Sequence, residues 1–163
     1  MMIIKNLVSL EFYNENHHIR LTDYHLSEEQ LQYTSLPLPA IAKCNEETER
    51  YPIVILYKGE PAGFFVLHGW DGVKAYWDNQ DAILIRAYSI NPKFQGKGIA
   101  SESLKALDPF INQHFLNKKE IILAVNYQNV RAQHVYKKAG FHDTGIRVIG
   151  RNGEMFIMHK ILE

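Results

Sequence analysis

A glycine-rich segment, Gln95-Gly96-Lys97-Gly98-Ile99-Ala100, lies between a strand-like stretch that stops at Asn91-Pro92 and a helical pattern. Glycines let the backbone approach a ligand closely, and the first turn of a helix presents unpaired N–H groups at the positive end of its dipole. The segment is therefore a candidate diphosphate site. It does not fit the phosphate-loop NTPase pattern, because Lys97 is followed by Gly98-Ile99, or the Rossmann pattern, which needs a third glycine. A plain turn between strand and helix is the alternative.

A second segment follows a predicted strand over residues 121–125 and contains Asn129, Ala132, Tyr136 and the pair Gly140-Phe141. These residues have the spacing of the second motif of the GNAT superfamily of acetyl-coenzyme A dependent N-acetyltransferases. The glycine-rich segment matches the first motif of that superfamily, Gln/Arg-x-x-Gly-x-Gly/Ala. The order and separation of the two motifs also match, and the chain resembles this superfamily from about residue 18 to residue 163.

The resemblance implies a single N-acetyltransferase domain over residues 1–163. The implied fold is of the α+β (mixed α/β) class, with a mixed, mostly antiparallel sheet flanked by helices. In this fold the strand ending at Ile90 and the strand ending at Asn126 are parallel neighbours that splay apart. Acetyl-coenzyme A enters the gap between them.

Acetyl-coenzyme A is the cosubstrate that the resemblance implies. In the family its pantetheine arm pairs with backbone of the first splayed strand, and its pyrophosphate lies on N–H groups of the glycine-rich segment. The matching positions here are Tyr88, Ser89, Ile90, Gln95, Gly96, Lys97, Gly98, Ile99, Ala100, Ser101 and Asn129. Lys97 either adds charge at the phosphates or is a solvated lysine. Asn129 either bonds the cofactor arm or caps a helix, or does both.

Tyr136 matches the family's catalytic tyrosine, which protonates the departing thiolate. The reaction needs a neutral amine, a polarised thioester carbonyl and that proton. The alternative role of Tyr136 is packing against the sheet from the helix face that it shares with Asn129. Some family members carry an acidic base on the strand before the glycine-rich segment, but residues 83–89 contain no acid. The base is open among a water chain, His68, Asp81 and the N-terminal hairpin.

The loop over residues 70–81 combines three acids, one lysine and three aromatic residues. Carboxylates and aromatic faces attract ammonium groups, so Asp78 and Asp81 are predicted to bind a cationic amine. The alternative is a loop that folds its aromatic residues back onto the core. Residues 26–33 and 84–88 also resemble the bacterial diamine and polyamine acetyltransferases, which favours a polyamine as the small-molecule acceptor.

The elements that must position these residues follow from hydrophobic patterns and turn residues. A hairpin is predicted over residues 7–24 with a turn at Asn14-Glu15-Asn16, and a capping box from Ser27 to Gln30 opens a short helix. A second short helix follows Pro39. Further strands are predicted over residues 53–57, 63–67, 83–90, 121–125, 144–149 and 154–161. Helices are predicted from residue 98, with a kink or restart at Asp108-Pro109, and over residues 129–138 with Gly140 as the C-terminal cap.

The composition is typical of one soluble globular domain, with 163 residues of which 46% are hydrophobic and 22% charged. Eighteen basic and eighteen acidic side chains give zero net charge, which excludes a global attraction to nucleic acid or an anionic membrane. The single cysteine, Cys44, favours a reducing compartment, and residues 1–6 become polar too early for a secretory signal, so a cytoplasmic protein is expected. No set of His, Cys and acidic residues has metal-ligand spacing, so we predict no metal.

The sequence therefore predicts transfer of an acetyl group from acetyl-coenzyme A to a primary amine by direct attack. A small polycationic amine such as a polyamine is the preferred acceptor class. A peptide or protein amine is the alternative acceptor. Outside the enzymes, the alternative is a regulatory module that binds acetyl-coenzyme A without turnover. The oligomeric state is open, with a homodimer among the alternatives.

Overall fold

Seven strands and six α-helices make up the computed structural model, which describes residues 7–163. The strands are β1 (Val8–Phe12), β2 (Arg50–Tyr57), β3 (Glu60–His68), β4 (Ala82–Ile90), β5 (Glu120–Asn126), β6 (His142–Gly150) and β7 (Gly153–Ile161). The helices are α1 (His18–Thr22), α2 (Glu28–Leu31), α3 (Pro37–Glu46), α4 (Trp70–Val73), α5 (Ile99–His114) and α6 (Val130–Lys138). Residues 1–6, whose polarity argues against a secretory signal, lie outside the described residues. No helix within residues 7–163 combines the length and the apolar character needed to span a bilayer.

The strands form one sheet in the order β1-β2-β3-β4-β5-β7-β6. Neighbouring strands are antiparallel except β4 and β5, which run parallel. This arrangement confirms the predicted α+β fold with its mixed, mostly antiparallel sheet. The predicted hairpins around Lys58-Gly59 and Asn152-Gly153 are both present.

Helices cover both faces of the sheet. On the face that we call face A, α5 and α6 pack residues such as Leu107 and Tyr136 against strand residues such as Ile85. On the opposite face, face B, α1 and α3 pack against the middle of the sheet, including Val66 of β3. The segment around α4 covers the beginnings of β4 and β5 on the same face, where Val73 is fully buried. The sheet is therefore held between two apolar layers.

The predicted N-terminal hairpin over residues 7–24 is wrong in its second half. β1 is a strand, but it pairs with β2, and residues 18–22 form α1. The reason is local capping, because the Asn14 side chain accepts a hydrogen bond from the Asn16 N–H at 2.9 Å and starts a helical turn instead of reversing the chain. Leu21 of α1 is then buried on face B.

The predicted restart at Asp108-Pro109 does not occur, since α5 continues from Ile99 to His114. Leu107 and Ile111 are buried on face A and hold the residues before and after the proline in one helix. Packing of an apolar helix face thus outweighs the local cost of the proline.

β4 and β5 are paired only at their beginnings. The parallel register runs from Ala82 opposite Glu120 to Ile85 opposite Leu123 and stops there. Ala87 follows with a φ of 54°, an uncommon value for a residue with a side chain, and the pairing of β4 with β3 shifts register at the same place. The splayed parallel pair that the family resemblance implies is therefore present, and a bulge marks its opening.

Glu120 at the start of β5 is a buried carboxylate that joins three segments. It is 4% exposed and accepts hydrogen bonds from Trp77 Nε1 at 2.8 Å, Asn79 Nδ2 at 2.7 Å and His159 Nδ1 at 2.7 Å. Burial acts to raise the pKa of this carboxyl, but the hydrogen bonds outweigh burial and the pKa is lowered. The carboxylate therefore stabilises the folded state in its charged form.

Glu120→Gln is expected to lower the free energy of unfolding near pH 7 by roughly 1–3 kcal/mol, because it removes a charged acceptor from three donors. A carboxyl whose pKa is lowered by folding stabilises the protein above its unfolded pKa of about 4.3, and this contribution is lost as the pH falls through the folded value. In urea denaturation, the difference between parent and variant should be largest at neutral pH and shrink toward pH ~3. An equal difference at both pH values would contradict this role.

Candidate functional site

A cavity of about 850 Å³ opens where β4 separates from β5. Its walls come from α2, the end of β4, the glycine-rich segment, the end of β5 and α6. The predicted site residues on these walls are Tyr88, Ser89, Ile90, Gln95, Gly96, Gly98, Ile99, Ala100, Ser101, Asn129 and Tyr136. Lys97 does not line the cavity, and its ammonium instead lies 5.9 Å from the centre of the Tyr57 ring. The structure thus brings the two sequence motifs together around one space.

The glycine-rich segment presents a row of free backbone donors. Gly96 and Gly98 have φ values of 79° and 72°, which glycine adopts without steric cost. The Glu102 N–H makes the first hydrogen bond of α5, to the Gly98 carbonyl at 3.1 Å, so the N–H groups of residues 96–101 have no backbone acceptor in the described chain. These donors fit a diphosphate. The Gln95 N–H, which the sequence prediction included, is already bonded to the Pro92 carbonyl at 3.1 Å.

Two side chains that precede β2 in sequence bind the backbone of β4 beside the cavity. The Tyr24 hydroxyl donates to the Ser89 carbonyl at 2.9 Å, and burial raises the pKa of this phenol, which keeps it a donor. The Gln30 Nε2 donates to the Ile90 carbonyl at 3.2 Å. Neither Tyr24 nor Gln30 was predicted to contact β4, because both contacts join residues about sixty positions apart in sequence.

α2 and the residues after it form one wall of the cavity. The predicted capping box is present, with the Ser27 hydroxyl accepting from the Gln30 N–H at 3.1 Å and Gln30 Oε1 accepting from the Ser27 N–H at 3.0 Å. Glu29, Tyr33 and Thr34 also line the cavity. The capping box predicts the helix, but its position over β4 is a tertiary contact that the sequence does not show.

Tyr136 lies on the face A side of the cavity. Its ring centre is 6.1 Å from that of Tyr88 and 5.9 Å from that of Phe141, both in edge-to-face contact. Burial, with a further contribution from Tyr88, raises the pKa of Tyr136, so the phenol keeps its proton at neutral pH. Its hydroxyl has no hydrogen-bond partner among residues 7–163, whereas the Tyr88 hydroxyl bonds to Ser103. Tyr136 is therefore a protonated and unengaged donor.

The sequence left two roles open for Asn129, and the structure confirms one of them. Its side-chain oxygen accepts from the Ala132 N–H at 3.3 Å, which confirms the helix N-cap. Asn129 also lines the cavity, so its hydrogen bond to the cofactor arm stays a prediction.

Arg86 is a charged residue of the cavity wall that sequence reasoning did not single out. Its guanidinium lies beside the Tyr76 side chain, and burial, together with the neighbouring Arg50, lowers the pKa of Arg86. Arg50 is bonded to the Glu47 carboxylate at 2.8 Å, but Arg86 forms no ion pair with any of the described residues. Some family members carry an acid on this part of the strand. Its absence from this sequence was the one feature that could have drawn attention to Arg86.

A second cavity of about 580 Å³ lies on face B. Its walls are formed by Trp70, Lys74, Tyr76, Trp77, Asp78 and Ile146. Tyr76 of this cavity lies beside Arg86 of the first cavity. The aromatic residues pack onto the core around Leu84, as the alternative of a folded-back loop predicts, and the same residues also line this cavity. Asp81 lines neither cavity, and the binding of an amine by Asp78 and Asp81 stays a prediction.

The remaining candidates lie elsewhere. His68, one of the possible bases, is 2% exposed, lies outside both cavities, and has no hydrogen-bond partner for its ring nitrogens among the described residues. Burial lowers the pKa of His68. Within residues 7–163, no group of three or more His, Cys, Asp or Glu is placed to hold a metal ion.

The sequence matches the profile of the Acetyltransferase (GNAT) family over residues 9–141. It is 38% identical over 156 residues to the uncharacterized N-acetyltransferase YbbJ of Bacillus subtilis (strain 168), covering 95% of this chain and 98% of that protein. The spermine/spermidine N(1)-acetyltransferase of the same organism is 22% identical over 157 residues, covering 94% of this chain and 99% of that protein.

The fold is similar to that of several solved structures. The crystal structure of the aminoglycoside acetyltransferase AAC(6')-Ib with coenzyme A and kanamycin superimposes with a TM-score of 0.75 at 19% identity, covering 94% of each chain. A spermidine N-acetyltransferase chimera, SpeG K23-Q34 from Vibrio cholerae and hSSAT, superimposes with a TM-score of 0.69 at 19% identity, covering 96% of each chain. At these identities the likeness shows a shared fold.

Proposed function

This chain belongs to the GNAT acetyltransferase family and is an acetyl-coenzyme A dependent N-acetyltransferase, and on that premise we propose that its acceptor is a small amine with several ammonium groups, such as a polyamine. The similarity to a spermine/spermidine N(1)-acetyltransferase, which extends over nearly the whole chain, supports this acceptor class.

The observation that carries the proposal is the second cavity. Three of its lining residues are aromatic, and Asp78 adds a carboxylate. Aromatic faces and carboxylates together form the kind of surface that binds ammonium groups. Lys74 on the same wall is paired with Asp71 at 3.0 Å, so its charge is compensated. In the proposed binding mode, one ammonium of an extended polyamine lies at Asp78 and the other end lies in the first cavity, past Tyr76 and Arg86.

The transfer step follows from the residues around the first cavity. Bound acetyl-coenzyme A supplies the thioester, and the free N–H groups of residues 96–101 would hold its diphosphate. The acceptor nitrogen forms the C–N bond with its lone pair, and the sulfur leaves with the electrons of the C–S bond. Tyr136 gives its proton to that sulfur, the nitrogen releases one proton to water, and water returns a proton to the phenolate. Burial in the cavity raises the pKa of the coenzyme A thiol as well as that of the phenol, and this keeps the proton transfer feasible.

A screen for coenzyme A thiol release tests the acceptor class. We expect release with spermidine and spermine, and little with amino acids or peptides. Release with peptides alone would replace the proposal by a peptide or protein amine acetyltransferase. Binding of acetyl-coenzyme A with no release across polyamines, aminoglycosides, amino acids and peptides would favour a regulatory module.

Asp78→Asn is expected to raise KM for spermidine roughly five- to tenfold, because a neutral amide cannot form an ion pair with an ammonium group. The affinity for coenzyme A, measured by calorimetry, should not change. Asp81→Asn tests the other predicted carboxylate, and we expect a smaller effect because Asp81 lines neither cavity. An unchanged KM in Asp78→Asn would remove the second cavity from acceptor binding.

A further inference from the structure

Arg86 is a cation on the wall of the catalytic cavity that the transfer step has not yet used. It immediately precedes the bulged Ala87, at the point where β4 leaves β5. Its neighbour Tyr76 belongs to the apolar layer on face B, whereas Tyr136 belongs to the layer on face A. A thioester in the gap would therefore have the proton donor on one side and the Arg86 guanidinium on the side from which we expect the acceptor.

The carboxylate that faces Arg86 is already bonded to a second arginine. Arg50 of β2 and Arg86 face one carboxylate, Glu47 at the end of α3, and Arg50 is the residue bonded to it. His68 of β3 is held neutral by burial and by the two arginines, and the α4 segment contributes the Tyr76 hydroxyl.

Two more acids lie in the surroundings of this group. Asp71 is paired with Lys74, and Glu29 of α2 lies on another wall of the cavity and is exposed to solvent. Arg50 and Lys74 are thus each paired with a carboxylate, whereas Arg86 is a cation on the cavity wall without an ion-pair partner among the described residues.

The acceptor must attack as a neutral amine, but a primary amine in water at pH 7 is almost entirely protonated. Residues 83–89 contain no carboxylate to take that proton. A nearby like charge favours the uncharged form of an amine, by the same effect that lowers the pKa of lysines beside other cations. We infer that the Arg86 guanidinium lowers the pKa of the acceptor amine in the cavity and so supplies the neutral nucleophile without a carboxylate base.

This role rests on the proposed transfer to an amine, but not on that amine being a polyamine. It also predicts which end of a long acceptor is acetylated. The end beside Arg86 is favoured in its neutral, reactive form, and a distal end at Asp78 is favoured in its charged form. The second cavity would then supply the binding energy that repulsion at Arg86 removes.

The test is the pH dependence of kcat with saturating spermidine, which reports the pKa of the bound amine. In the parent, the apparent pKa of the acidic limb of this profile should lie below the pKa of the primary amines of spermidine in solution. In Arg86→Gln the limb should move up by about one pH unit, so that kcat at pH ~7 falls about tenfold while the plateau at high pH is kept. Arg86→Lys retains the charge, and its limb should stay close to that of the parent.

A weakly basic amine, 2,2,2-trifluoroethylamine, is the matched control, because it is largely neutral without help from the protein. Its rate near pH 7 should be little affected by Arg86→Gln. An unmoved limb in Arg86→Gln would overturn the inference. If that variant instead raised KM only for acceptors that carry a carboxylate, Arg86 would be an anion-binding residue.

The parent protein provides a second measurement if the glutamine variant does not fold. A limb that coincides with the solution pKa of the amine would overturn the inference without any substitution. If spermidine is not acetylated, the proposed polyamine acceptor fails, and the same profiles are recorded with the amine that gives the most thiol release in the screen. The two failures are therefore distinguishable.

Discussion

Tyr136→Phe is expected to lower kcat by roughly 10² or more, the usual loss when a general acid is removed. The change deletes one hydroxyl and keeps the ring that packs against Tyr88 and Phe141. Coenzyme A affinity should therefore change little. Stability should also change little, because the hydroxyl has no partner among the described residues. Steady-state kinetics, calorimetry and a thermal melt on one preparation measure all three quantities.

Tyr88→Phe is the matched control for this experiment. It removes a hydroxyl from the adjacent ring, but one that is bonded to Ser103 and to the Ala100 carbonyl. We expect it to cost about 0.5–1.5 kcal/mol of stability and far less turnover than Tyr136→Phe. A folded Tyr136→Phe enzyme with parental kcat would show that Tyr136 only packs, and the proton would have to come from water.

Gly98→Val is expected to abolish measurable coenzyme A binding, with an affinity loss of more than about 10²-fold. A Cβ at Gly98 meets no protein atom within 4 Å, so the side chain would project into open space beside the free N–H groups. A diphosphate that needs those donors could no longer approach them. The loss would arise at the ligand rather than from a clash within the protein, and calorimetric titration measures it directly.

Backbone strain is the competing explanation, because valine is disfavoured at the φ of 72° that Gly98 adopts. Gly59 in the turn between β2 and β3 has a φ of 81° and equally open space around its Cβ, yet lies outside the cavity. Gly59→Val should therefore show a comparable drop in melting temperature with parental coenzyme A affinity. Parental affinity in a folded Gly98→Val variant would show that the diphosphate does not lie on this segment.

The parts of the fold that could be predicted from sequence are those specified by local pattern. The capping box at Ser27, the N-cap at Asn129 and the hairpin turn at Lys58-Gly59 each depend on residues within four positions of one another. The two motifs of the cofactor cavity belong to the same class, since each is a turn between a strand and a helix. Their meeting in space was implied by the family resemblance and is present in the structure.

The remaining features depend on contacts that no local pattern records. Asn14-Glu15-Asn16 suits a hairpin turn and a helical cap equally well, and in the structure the cap forms and Leu21 is buried on face B. Arg86 lies in a strand of apolar residues, where a single arginine in sequence gives no sign of which charges will face it. Its surroundings are seen only in the fold, where Arg50, Glu47 and Tyr76 of three other segments lie around it.

The bulge at Ala87 separates the side chains proposed to bind the acceptor from those proposed to serve the acetyl donor. In a regular strand, residues 86 and 88 point to the same face, but the extra residue leaves Ala87 packed on face B and Tyr88 on face A. Under the proposed roles, mutations at Arg86, Tyr76 or Asp78 change the amine that is used, while Tyr136 and the glycine-rich segment continue to serve the same acetyl donor. The proposal therefore predicts that a mutant library confined to face B can redirect the enzyme to new acceptors.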